Sequence, residues 1–167
     1  MNSTIRNTRF AVILAAMAVT LPVWSIPEAH VTKIEQAIPK SATAKPEKPR
    51  RVLVFSQTLK YKHSSIPYAE KAFELMAKTT DAYTVDVSSD PAVFEPATLN
   101  QYDAVVLNNN TGEWLTTATL RQSLLDFVRG GKGLVGIHAA TDGNFEWAEF
   151  GEMLGGYFDN HPWRNTD

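Results

Sequence analysis

Apolar and polar positions alternate in blocks from Arg51 onward, and these blocks predict strands and helices in turn. Apolar residues at helical spacing predict two amphipathic helices, and a third, shorter helix ends before Gly155. Short, nearly continuous apolar runs predict buried strands at Val52–Phe55, Tyr83–Val87, Ala104–Leu107 and Gly133–Ile137. Alternation of such strands with helices favours a parallel sheet covered on both faces. The pattern therefore predicts an α/β fold, a three-layer sandwich around a parallel sheet.

The first 50 residues have a different pattern. Arg6 and Arg9 precede an apolar run, Phe10–Val23, and small residues follow it. This arrangement predicts a secretory signal peptide over residues 1–25, since the run is shorter than the roughly 20 residues of a membrane span. An uncleaved anchor is the alternative, and this segment is then the chain's only expected membrane contact. The mature protein is predicted to be secreted or periplasmic.

Residues 26–50 are interrupted by prolines and contain lysines among small residues, which predicts a disordered linker. The folded domain is then expected over residues 51–167. The formal net charge is −2, no basic stripe is present, and nucleic acid is therefore not an expected partner. Because the chain contains no cysteine, it has no disulfide bonds and no thiolate nucleophile.

The segment Gly130–Asp142 contains the strongest candidate for chemistry. Its apolar strand stops at a turn of small residues, and His138 lies at the tip of that turn. In open α/β sheets, such turns present a reactive side chain at the carboxyl edge of the sheet. An imidazole in this position is suited to general acid or base catalysis near neutral pH.

Other polar residues follow the strand ends and are expected to converge on the same edge. The predicted catalytic residues are His138, His63 and Asp142. The predicted substrate-binding residues are Asn108, Asn110, Thr111, Asp159 and His161. A more specific hypothesis is that His63, His138 and His161 hold a divalent metal, although no HxH or HxxxH pair supports it.

Four ordered motifs resemble the trehalose-utilisation (ThuA-like) family: YKHSSIP, YDAVVLNNNTGEWLT, FVRGGKGLVGIHAATD and GGYFDNHP. The resemblance runs from about Arg51 to the end of the chain. It implies a flavodoxin-like fold similar to class I glutamine amidotransferases, here incomplete at the C-terminus. It also implies that His138 occupies the position of the amidotransferase cysteine, so glutaminase chemistry is not expected.

The resemblance implies a role in disaccharide catabolism, with a small-molecule carbohydrate as the expected partner. The first hypothesis is an exported enzyme that acts on a sugar or sugar derivative. The second is a carbohydrate-binding domain without catalysis. The third is an inactive fragment of a larger protein of this type.

Overall fold

The computed structural model describes residues 26–162, and the predicted signal peptide lies outside this range. The strands are β1 (Arg51–Phe55), β2 (Thr84–Ser88), β3 (Ala104–Asn108), β4 (Thr111–Gly112), β5 (Gly133–Ile137) and β6 (Asp142–Gly143). The helices are α1 (Glu28–Ala37), α2 (Ile66–Thr80), α3 (Pro96–Leu99), α4 (Ala118–Arg129) and α5 (Ala148–Leu154). Two 3₁₀ turns span Pro91–Phe94 and His138–Thr141.

The main sheet has four parallel strands in the order β2-β1-β3-β5. This order is that of a doubly wound, flavodoxin-like sheet, whose topological switch point lies between β1 and β3. In sheets of this type, ligands bind beyond the carboxyl edge at that point. A separate pair of short parallel strands, β4 and β6, lies beyond that edge and ties the loop after β3 to the turn after β5.

Both faces of the main sheet are covered by helices. Alternate residues of β1 and β3, such as Leu53 and Leu107, enter the larger core with Leu124 of α4 and Phe150 of α5. Helix α2 packs on the opposite face, against β2 and β3. Apolar strands buried on both faces are typical of parallel sheets. The structure therefore confirms the predicted three-layer α/β sandwich.

The structure differs from the predicted disordered linker over residues 26–50. Ten of these residues form α1, which packs against α2, and His30 lies with its Nδ1 atom 3.0 Å from the hydroxyl of Tyr68. At the other end of the segment, Lys48 and Arg50 form ion pairs with Asp103. Tertiary contacts stabilise this short helix, which its proline-flanked sequence does not favour alone.

Hydroxyl residues, which often cap helices, precede two of the helices. Ser65 and Thr117 occupy the N-cap positions of α2 and α4, but neither side chain caps its helix by a hydrogen bond. Over residues 26–162, no helix is long and apolar enough to cross a membrane.

Candidate functional site

His138 is held at the end of β5 by a strained turn. Its backbone has a φ of +49°, a left-handed conformation that histidine rarely adopts. Ala139 and Ala140 are buried directly behind it, and a Cβ atom at Gly136 would lie 3.2 Å from that of Ala140. Since the turn is closely packed on its inner side, the imidazole is left exposed at the carboxyl edge of the sheet.

His63 meets His138 at this edge. It lies in the loop after β1, and the two imidazole rings are 4.7 Å apart between centroids, at an interplanar angle of 88°. The sequence separates these residues widely, so only the parallel sheet brings them together. The predicted convergence of the two imidazoles is therefore present in the structure.

The environment of His63 disfavours its charged form. Partial burial lowers the pKa of its imidazole, the neighbouring His138 lowers it further, and the carboxylate of Asp142 acts in the opposite direction. The Nδ1 atom of His63 is buried and has no hydrogen-bond partner among the described residues. The ring is thus biased towards the neutral form.

Asp142 is close enough to influence this pair through its charge. It pairs with Thr111 across the β4–β6 ladder, which fixes its backbone next to the turn of His138. Within residues 26–162, its carboxylate makes neither a hydrogen bond nor an ion pair with a histidine. Its effect on His63 is therefore to favour protonation through its charge rather than through direct contact.

The predicted substrate-binding residues after β3 are buried and have structural contacts. Asn108 donates from Nδ2 to Ser56 Oγ at 3.0 Å and to the carbonyl of Ile66 at 3.1 Å. Asn110 donates to the carbonyl of Gln57 at 2.8 Å. These amides tie the loop after β3 to the loop after β1. Direct binding of substrate by them is not supported, because their side chains do not reach the surface.

Thr111 is also buried, and its hydroxyl donates to the carbonyl of Tyr61 at 3.0 Å. Thr58 donates to the same carbonyl at 2.9 Å. The predicted substrate contact of Thr111 is thus replaced by a role in holding the loop that contains His63. Sequence reasoning missed this role, because nothing in the local pattern shows which backbone atom a threonine hydroxyl reaches.

Asp159 and His161 do not join the histidine pair. Asp159 accepts a hydrogen bond from its neighbour Asn160, and the exposed ring of His161 packs against Phe158 at 4.9 Å. No group of three histidine, aspartate or glutamate side chains in the described part of the chain is arranged to hold a metal ion. The predicted three-histidine metal set is therefore not assembled in the described part of the chain.

Two tryptophans lie in the core of the domain. Trp114 and Trp147 are buried, and both pack against Phe150. Trp163 lies outside the described residues.

Sequence analysis also missed Asn144, whose Oδ1 atom accepts from the backbone N–H of Leu115 and holds the loop after β3 against the turn after β6. Its left-handed φ of +51° is the kind of conformation that asparagine tolerates.

Buried polar atoms without partners are concentrated at this edge of the molecule. They include His63 Nδ1, Gln57 Oε1, Asn109 Oδ1, Asn110 Oδ1 and Asn144 Nδ2. Such atoms are costly unless water or a ligand satisfies them. The edge thus combines an imidazole biased towards its neutral form, a second imidazole and a nearby carboxylate, which together are suited to proton transfer.

Comparisons with known proteins agree with this fold. Residues 51–167 match the family model ThuA, described as trehalose utilisation. The chain is similar in structure to a ThuA-like protein from Bacteroides uniformis, with a TM-score of 0.54 and 25% identity, over 72% of this chain and 51% of that one. The chain thus spans about half the length of that relative. A comparison with curated proteins gives no match. Because the family model covers the whole sheet and both histidine loops, this chain belongs to the ThuA, or trehalose-utilisation, family.

Proposed function

We propose that this protein acts on a carbohydrate or a sugar derivative, and that His63 and His138 are the acid and base groups of the reaction. Membership of the ThuA family points to trehalose utilisation. The observation that carries the proposal is the edge-to-face contact of the two imidazoles, 4.7 Å apart, beside the switch point of the sheet. In sheets of this type, ligands bind at that position.

The electrostatics of the pair favour a division of roles. His63 is biased towards its neutral form, so it is the group that accepts a proton from a sugar hydroxyl or from a carbon next to a carbonyl. His138 is exposed at the turn and returns a proton to the departing or newly formed oxygen. Asp142 stabilises the imidazolium that forms on His63, because its negative charge favours that state.

The function is tested by incubating the protein with trehalose, other disaccharides and their keto derivatives, and by following the products with NMR. His63→Gln removes the proposed base, and we expect turnover to fall by roughly 10²-fold or more. His161→Gln is the matched control, since His161 is an exposed histidine with its ring on Phe158. We expect this variant to retain wild-type turnover. Equal turnover in both variants contradicts the role of His63, and saturable binding without product favours a binding domain without catalysis.

The lowered pKa of His63 predicts a specific pH dependence. A base must be neutral to act, so we expect the acid limb of the kcat/KM profile to lie below the ordinary imidazole value of 6.5. The free energy of unfolding should depend on the same lowered pKa of His63. Because the unfolded chain binds the proton more readily, the free energy of unfolding should decrease as the pH falls from that ordinary value through the lowered one.

The measurements are a pH–rate profile and denaturant unfolding across the acid range. His63→Gln should have a shallower dependence of stability on pH in the same range. An acid limb at or above the ordinary imidazole value would show that another group is the base.

We further propose that the protein is exported by its N-terminal segment, as the arginines and apolar run of residues 1–25 indicate. Mass spectrometry of the mature chain from its native host tests this, since export predicts the loss of that segment. A full-length mature chain would contradict cleavage.

A further inference from the structure

Tyr61 has an unusual combination of a fixed backbone and an uncovered ring. Its carbonyl accepts two hydrogen bonds, from the hydroxyls of Thr58 at 2.9 Å and Thr111 at 3.0 Å. Two acceptor bonds are the full capacity of a carbonyl oxygen, so the backbone is held firmly. The side chain is nevertheless 69% exposed. Its hydroxyl has no hydrogen-bond partner within residues 26–162.

The ring of Tyr61 lies directly beside the histidine pair. Its centroid is 4.7 Å from that of His63, at an interplanar angle of 76°. His63 in turn contacts His138 edge-to-face, so the three rings form a continuous row along the carboxyl edge. Because the contact with His63 is edge-to-face, at least one broad face of the tyrosine ring is open to a ligand that approaches the imidazoles.

Phe145 is also an exposed aromatic residue at this edge, but its ring is less open to a ligand. Phe145 is 41% exposed, but Lys60 Nζ lies 5.9 Å from its ring centroid and the ring of Tyr157 lies 5.2 Å away. Its ring is therefore already in contact with two side chains. In the described part of the chain, Tyr61 has a single ring contact, with His63.

We propose that Tyr61 forms a stacking subsite for one sugar ring of the substrate, next to the histidine pair. This inference rests on the proposed carbohydrate function. The C–H groups of a pyranose form an apolar face that packs on an aromatic ring, while its hydroxyls point outward from the edge of the sugar. A sugar seated on Tyr61 presents those hydroxyls to His63 and His138. The fixed backbone lowers the conformational cost of this binding, because the loop is already ordered.

The sugar binds to the ring face of Tyr61 rather than to its hydroxyl. We therefore expect Tyr61→Ala to raise the dissociation constant for trehalose about tenfold, which corresponds to about 1.4 kcal/mol. Tyr61→Phe should stay within about twofold of the wild type, because the hydroxyl has no partner to lose. Leu59→Ala is the matched control, since Leu59 is a 58% exposed apolar residue in the same loop.

The experiment is a calorimetric titration of the full chain with trehalose, maltose, cellobiose and glucose, with an NMR pH titration of the His63 imidazole in each variant. Weaker binding by Tyr61→Ala alone, with an unchanged His63 titration, supports the subsite. Weaker binding with a shifted His63 titration means that Tyr61 positions His63, and this overturns the stacking role. Wild-type affinity in Tyr61→Ala overturns the subsite and leaves the carbohydrate function standing. If the wild type neither binds nor converts any of the sugars, both proposals fail.

Discussion

His138→Asn is expected to lower turnover of the sugar substrate by roughly 10²- to 10⁴-fold while leaving the fold intact. Asparagine has no titratable nitrogen, so it can neither accept nor return a proton. It does, however, tolerate the left-handed backbone better than histidine, and the native φ at this position is +49°. We therefore expect the thermal midpoint of unfolding to stay the same or to rise.

Lower turnover together with unchanged or higher stability separates a catalytic role of His138 from a structural one. Turnover is measured by NMR of the sugar products, and stability is measured by thermal unfolding monitored by circular dichroism. His138→Gly relieves the backbone strain in the same way and should be equally inactive. Turnover close to the wild-type rate in both variants would mean that the imidazole at the strand end is not used. A large loss of stability in His138→Asn would mean that the histidine is retained for packing.

Gly143→Ala is expected to destabilise the fold by about 3 kcal/mol, the largest effect on stability that we predict. A Cβ atom at this position would lie 2.5 Å from the carbonyl oxygen of Gly112, in the ladder between β4 and β6. That oxygen accepts from the backbone N–H groups of Trp114 at 3.0 Å and Asn144 at 3.1 Å. The carbonyl cannot turn away without losing both bonds, so the ladder has to open.

Gly131→Ala is the control for this variant. Its φ is +86°, but an added Cβ would meet nothing within 4 Å, so only the backbone strain of about 1 kcal/mol is expected. Both free energies of unfolding are measured with urea. If the two glycine variants are destabilised equally, the contact with Gly112 is relieved at little cost. Because β6 also contains Asp142, the opened ladder in Gly143→Ala should shift the NMR titration of His63 as well.

Much of the architecture was predictable because strands and helices have local signatures. The apolar run at Val52–Phe55 and the small-residue turn around His138 indicate a parallel sheet that ends in a presented side chain. The structure contains this parallel sheet and the exposed His138, and the ThuA family model matches residues 51–167. The local sequence supports helix α1 only weakly, since α1 is stabilised by its contact with α2.

The composition of the site depended on information that local sequence does not contain. The sequence places His63, His138 and His161 in loops or turns and favours His138, but it does not show which of the other two histidines meets it. Only the strand order β2-β1-β3-β5 places the loops of His63 and His138 together, and it leaves His161 against Phe158. Asn108 and Asn110 lie at a strand end as substrate-binding residues do, yet their side chains are buried and donate hydrogen bonds to Ser56 and Gln57 in the loop after β1.

By itself, the sequence determined the α/β class, the positions of the strands and the exposure of an imidazole where β5 stops. These properties depend on apolar periodicity and on turn residues, which act over a few positions along the chain. The tertiary structure alone decided which polar side chains meet, which are buried as loop supports, and that Tyr61 lies uncovered beside the pair. Such contacts join residues from different loops, and their geometry is set by strand order and register rather than by neighbouring residues in the chain.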